Sequence, residues 1–222
     1  KHQTLLQHDF DLYSEVHHRT MFILCVKSPF SWAVSMHRSP FHKKAAAAEG
    51  DGNAGDGSGA KKANLTEFLR SPWETYHTIL GKEKKPIREL YPSVAALRTE
   101  KLLNHLSVRA RVRHFHVLRY EDVLSSPEQS IMGILALHGI SMARSSFVVY
   151  DRVMKASGST GPTTAKFEAK DSDYYLSHRY MAHFNQEAYE VYSTSLNHSL
   201  EHSLGYSIPL WTDVVGGRRG GG

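Results

Sequence analysis

Apolar residues along the chain follow two spacings. Met21 to Val26 (MFILCV) is a continuous apolar run bounded by polar residues, which predicts a buried strand of a parallel sheet. A helix should follow at once. Ser28 suits its cap and Pro29 its first position, where no amide donor is needed, with Phe30, Ala33, Val34 and His37 toward the sheet. Ser71-Pro72-Trp73-Glu74 has the form of a capping box with Pro at the first helical position, and predicts a short helix ended by Gly81. The spacing then predicts a longer helix over 92–108, with Val94, Leu97, Leu102 and Leu106 on one face. Residues 113–118 form a second buried-strand candidate that ends in Arg119-Tyr120-Glu121-Asp122. Ser126-Pro127-Glu128-Gln129 predicts another boxed helix, with Ile131, Ile134, Leu135 and His138 inward and Gly139 as its stop. Residues 174–184 and 185–203 read as two last helices closing at Gly205. Strand then helix, helices, then strand then helix is the grammar of a layered α/β domain, here spanning 1–206, with 207–222 as a tail.

Composition changes this picture in a few places. The chain has 222 residues and 41% hydrophobic residues, enough for one domain with a substantial core. Its six-residue apolar run is far short of the roughly 20 a membrane span needs. Beginning at Lys1 without a signal-like segment, it reads as part of a longer protein. Residues 45–60 hold Ala and Gly but no large apolar side chain, so a flexible surface insertion is expected there. The single cysteine, Cys25, excludes an internal disulfide framework. Net charge is +5, and one Arg218-Arg219 pair among terminal glycines is thin ground for a nucleic-acid partner.

Phosphate-binding glycine loops are the next test. Gly55 to Lys61 (GDGSGAK) resembles a Walker loop, but Ala60 stands where Gly must precede the lysine and Lys62 where Ser or Thr must follow it. The two strand ends are better placed. Ligands of such sheets bind beyond the carboxyl ends of the strands, which puts Lys27-Ser28-Pro29 and Tyr120-Glu121-Asp122 at equivalent mouths. A cation, a helix N-terminus and hydroxyls at Ser28, Ser31 and Ser35 suit a phosphate monoester; the same residues suit a capped helix beside a snorkelling lysine. Tyr120 fits a base or the core. Glu121 and Asp122 fit acids in catalysis or partners of nearby backbone and arginines. Histidine pairs 17/18, 114/116 and 178/183 lack the third ligand or the helical alignment of a metal site, so no metal is expected. Asn64-Leu65-Thr66 and Asn197-His198-Ser199 fit the glycosylation sequon.

FILCVKSPFSWAVSMHRSP resembles the 3′-phosphate-binding strand and helix of the sulfotransferases, and VLRYEDVLSSPEQSIMGIL resembles their later strand with its Tyr-Glu-Asp motif. NLTEFLRSPW and the segment from Tyr174 to Tyr206 are similar to stretches of a subgroup of sulfotransferase-domain proteins, in the same order. The resemblance implies a three-layer α/β fold with a central parallel sheet, like that of P-loop NTPases. It implies transfer of a sulfuryl group from 3′-phosphoadenosine 5′-phosphosulfate to a hydroxyl or amine of a small-molecule, carbohydrate or protein acceptor. Lys27, where the family commonly has Arg, and Ser35 would hold the 3′-phosphate, Tyr120 would lie near the adenine, and His2 is a candidate general base. A basic loop at 155–166 lies where the family reaches the nucleotide, though it matches poorly. The family's first strand and phosphosulfate loop should precede residue 1, so this chain by itself should transfer weakly or not at all. The alternative is a non-catalytic binding or scaffold module of the same kind.

Overall fold

A computed structural model describes residues 21–38, 64–78, 86–142, 146–148 and 169–219. The insertion at 45–60, His2, the paired His17 and His18, and the loop at 155–166 lie outside them.

Strand β1 (Met21–Val26) pairs in parallel with β4 (His114–Arg119), Met21 opposite His114 and Val26 opposite Arg119. The two runs are in register, so their carboxyl ends are level and Lys27 emerges beside Tyr120. A parallel pair requires a long crossover. Here it carries helix α1 (Pro29–Arg38), helix α2 (Leu65–Arg70), an antiparallel pair of β2 (Trp73–Thr78) with β3 (Pro86–Tyr91), and helix α3 (Val94–Ser107). After β4 come α4 (Tyr120–Ser125), α5 (Pro127–Leu137), α6 (Ala169–Leu176), a 3₁₀ turn (Arg179–His183), α7 (Gln186–Ser195), α8 (His198–Ser203) and α9 (Trp211–Arg219). The chain is thus mixed α/β, mostly helical among the described residues, with a short parallel sheet.

The main core lies among α1, α2, α3 and the C-terminal helices. Phe30 is its centre: it stacks on Tyr189 at 5.6 Å and meets Phe184 and Tyr192 edge-on. A smaller cluster of Val26, Leu102, Leu200, Leu204 and Tyr206 sits under β1.

Several expectations change. The apolar run of β1 is not buried on both faces: Leu24 and Val26 pack on the smaller cluster, while Ile23 is 46% exposed and Cys25 is exposed. Alternate residues face opposite sides of a strand, and a continuous run does not say that both sides are covered. β4 is likewise half-buried throughout. Where a helix was expected from Ser71, residues Trp73–Thr78 form the strand β2, and Gly81, its expected stop, lies outside the described residues. Ser71 instead ends α2, its amide bonded to the Glu67 carbonyl at 3.0 Å, and Trp73 is pulled into the core against Phe68. The cap that forms is one step earlier: Asn64, in the first sequon, accepts from the Glu67 amide, and Glu67 returns a carboxylate to the Asn64 amide. Asn197, in the second sequon, caps α8 by accepting from the Leu200 amide at 3.0 Å, with no side chain returned to its own amide. At Ser126 the helix starts as expected but without a side-chain cap, and of its inward residues only Ile134 is fully buried. The expected last two helices are four elements, broken where His178 adopts a left-handed φ of 56° and at Leu196. Residues 207–219 are more than a tail: α9 lays Trp211 on Tyr189, whose hydroxyl donates to the Pro209 carbonyl.

Candidate functional site

The in-register strand ends bring Lys27, Ser35 and Tyr120 together. Lys27 leaves β1, the backbone turns into α1 at Ser28, and two helical turns later Ser35 points back so that Lys27 Nζ donates to Ser35 Oγ at 3.0 Å. The Ser35 hydroxyl in turn donates to the Ser31 carbonyl at 2.9 Å. The ammonium lies 4.1 Å from the Tyr175 ring centroid and 5.2 Å from that of Tyr120, and the two rings meet edge-on. Burial lowers the Lys27 pKa from 10.5 to about 8, with the Glu121 charge opposing and Arg38 assisting. Arg38 ends α1 nearby, its guanidinium 5.5 Å from the Tyr174 ring and 2.6 Å from His183 Nε2.

The backbone beneath Lys27 is held by residues the sequence did not single out. Arg98, on the buried face of α3, donates from Nη2 to the Lys27 carbonyl at 2.8 Å. The same guanidinium grips Glu201 of α8 with two bonds, at 2.6 and 2.9 Å, and both side chains are buried. The available signal was a charge at four-residue spacing between Val94 and Leu102, in the middle of the apolar stripe.

Glu121 is a second brace. It is buried, accepts the Ser28 amide at 2.9 Å on one oxygen and the Tyr206 hydroxyl at 2.8 Å on the other, and so ties the start of α1 to the C-terminal segment across the strand ends. Of the readings left open for it, bonding to backbone is the one observed. Burial, then the adjacent Glu121 carboxylate, keep the Tyr206 hydroxyl protonated far above its ordinary range. Asp122 is exposed and lies 3.6 Å from Arg119, whose Nη1 donates to the Gly205 carbonyl at 3.0 Å. Gly205 is needed there: its φ is +82°, and an added Cβ would come within 3.1 Å of Arg119.

The three serines of the expected hydroxyl stripe part company. Ser31 is buried and donates to the Ser28 carbonyl at 3.2 Å, leaving Ser35 as the one beside Lys27. Ser28 Oγ lies 3.1 Å from Tyr180 Oη, which lies 2.6 Å from His178 Nδ1. That chain of hydroxyls and imidazole lines a cleft of about 930 Å³, walled also by Tyr175, Tyr206, Glu121 and Arg179. The cleft adjoins the Lys27 corner through Tyr175. Its aromatic faces and hydroxyls can seat a planar or hydroxyl-rich ligand, while the Lys27 corner supplies a cation and a hydroxyl for an anionic group. His178 and His183, considered as a pair, face different partners, Tyr180 and Arg38. No helix among the described residues is long and apolar enough to cross a membrane. No family model matches the chain, and no curated protein or solved structure matches it.

Proposed function

We propose that the chain is a sulfotransferase domain, of the three-layer P-loop-NTPase-like kind, and that the mouth of β1 and β4 is its 3′-phosphate and adenine site. Lys27 and Ser35 hold the 3′-phosphate of 3′-phosphoadenosine 5′-phosphosulfate. Tyr120, with Tyr175 edge-on to it, borders the adenine. The sulfuryl group passes in line to a hydroxyl or amine of the acceptor, and adenosine 3′,5′-bisphosphate leaves. His2, the candidate base, lies outside the described residues.

The observation that carries this reading is the 3.0 Å contact between Lys27 Nζ and Ser35 Oγ in a corner walled by tyrosine rings. An ammonium has three donors, and Ser35 takes one, so two remain for phosphate oxygens. The Ser35 hydroxyl joins them by turning its proton from the Ser31 carbonyl to the ligand. Because Lys is a point charge without the fork of Arg, the grip is electrostatic rather than bidentate.

Calorimetric titration of the chain with adenosine 3′,5′-bisphosphate tests the proposal. Saturable one-to-one binding that Lys27→Ala weakens by about tenfold or more is the expected result. A folded chain that binds no bisphosphate, or that binds it equally well after the substitution, overturns it.

A further inference from the structure

Lys27 has the setting of a reactive amine. Among the described residues its side chain has one hydrogen-bond partner, Ser35 Oγ at 3.0 Å, and no carboxylate within ion-pair reach. Glu121, whose charge acts on it, has both oxygens bonded to Ser28 and Tyr206. Ser35 accepts from Lys27, because its own proton goes to the Ser31 carbonyl at 2.9 Å. The amine therefore gives one N–H to Ser35 and, once neutral, keeps its lone pair clear of that bond. Ring faces line the corner, Tyr175 at 4.1 Å and Tyr120 at 5.2 Å. The root of the side chain is pinned as well: Arg98 Nη2 holds the Lys27 carbonyl at 2.8 Å, and Glu121 holds the next amide at 2.9 Å. Lys27 stands just past the end of β1 and is half-buried, so a small reagent can reach its amine from the mouth.

We propose that Lys27 is a site of covalent modification that takes an activated acyl group of the acyl phosphate class. The neutral Nζ attacks the acyl carbon and the C–N bond forms. The C–O bond to phosphate breaks, phosphate leaves with the electron pair, and the extra proton on nitrogen passes to water. The product is a neutral amide whose one N–H is taken by Ser35, so the corner is left without a charge for an anion. Burial is the largest influence on the reacting group; Glu121 of α4 opposes it, Arg38 of α1 assists it, and the pKa falls to about 8. At about pH 7.5 roughly a quarter of Lys27 is then free amine, against about one in a thousand for a lysine at its ordinary 10.5. A less basic amine is a weaker nucleophile. On the slope of about 0.4–0.5 known for thiolates, the gain in rate is roughly tenfold rather than the roughly two-hundredfold of the populations. This modification needs only the corner itself and does not depend on the nucleotide reading.

Acetyl phosphate is the probe. The full chain is treated with limiting reagent from pH 6.5 to 10.5, and acetylation is followed at each lysine by peptide mass spectrometry, with K27R confirming the assignment. At about pH 7.5 Lys27 should react roughly tenfold faster than the median lysine of the chain. Its rate should level off above about pH 8, while the rates of ordinary lysines climb toward 10. Lys101, also lowered to about 8, should level off at the same pH, but adenosine 3′,5′-bisphosphate should protect Lys27 alone. A Lys27 rate at or below the median, or one still climbing at pH 9.5, overturns the proposal. Fast acetylation of Lys27 that bisphosphate does not slow upholds the modification site and counts against the nucleotide site instead.

Discussion

Arg98 and Lys27 are two cations drawn out of water at the same strand end, and the fold treats them in opposite ways. Burial disfavours the charge of each. For Arg98 the Glu201 carboxylate, held by two bonds, more than offsets that, and its pKa ends above the ordinary value. Lys27 meets a hydroxyl and two ring faces, while Glu121, the carboxylate that acts on it, has both oxygens bonded elsewhere; its pKa falls to about 8. A buried cation with its own carboxylate is a brace. One set among hydroxyl and rings keeps donors for an incoming anion. The two are joined, because Arg98 also holds the Lys27 carbonyl.

The largest expected effect tests the brace. Arg98→Ala leaves Glu201 charged and buried, which should cost about 3–5 kcal/mol in urea unfolding. An Arg98→Met, Glu201→Leu double variant removes both charges and should regain most of that loss. A cost below about 1 kcal/mol for the single variant would erase the contrast between the two cations.

Lys27→Ala should do the reverse. Binding of adenosine 3′,5′-bisphosphate should weaken by about 1.5–3 kcal/mol, the range for hydrogen bonds to charged groups, while the unfolding midpoint at pH 7 does not fall, because burial of the charged ammonium works against the fold. A large loss of stability would make Lys27 a brace too.

Acidity separates binding from folding. An anion requires the charged lysine, so bisphosphate affinity should fall about tenfold per unit as pH rises beyond about 8, with proton uptake on binding. Stability of the free protein should move the other way. Below pH about 8 both folded and unfolded chains carry the proton; between about 8 and 10.5 only the unfolded chain keeps it, so the Lys27 contribution to stability rises with pH in that window. Lys101, also lowered by burial to about 8, acts in the same sense. Tyr180, raised by burial to about 12, opposes them above the usual tyrosine value of 10.0, where the unfolded chain ionises first. Urea midpoints from pH 7 to 10 should therefore climb while affinity drops.

The smallest effect lies away from both cations. Asn64→Ala breaks the reciprocal cap of α2 and should cost about 1 kcal/mol in urea unfolding, with bisphosphate affinity unchanged. A change in affinity would tie α2 to the site.

Much of the frame was legible in local pattern. The apolar run at 21–26 and the one ending at Arg119 announced both strands of the parallel pair, and Pro29, Ser126 and Gly139 marked helix ends that the fold respects. β2 was misread because Ser71-Pro72-Trp73-Glu74 satisfies a capping rule locally, whereas Trp73 is held by the core against Phe68. The closeness of Lys27, Ser35 and Tyr120 could be anticipated because strand ends in a parallel sheet share a side.

By itself, then, the sequence determined which segments form strands and helices at the mouth, and which residue types stand there. Those choices depend on spacing within a few residues, through side-chain periodicity and backbone caps. Only the tertiary structure decided which of those residues are braces: the Arg98–Glu201, Ser28–Glu121 and Tyr206–Glu121 bonds join positions 103, 93 and 85 residues apart. No local pattern carries such a partnership, because it arises when helices pack and buried polar groups must find partners among whatever the packing brings within reach.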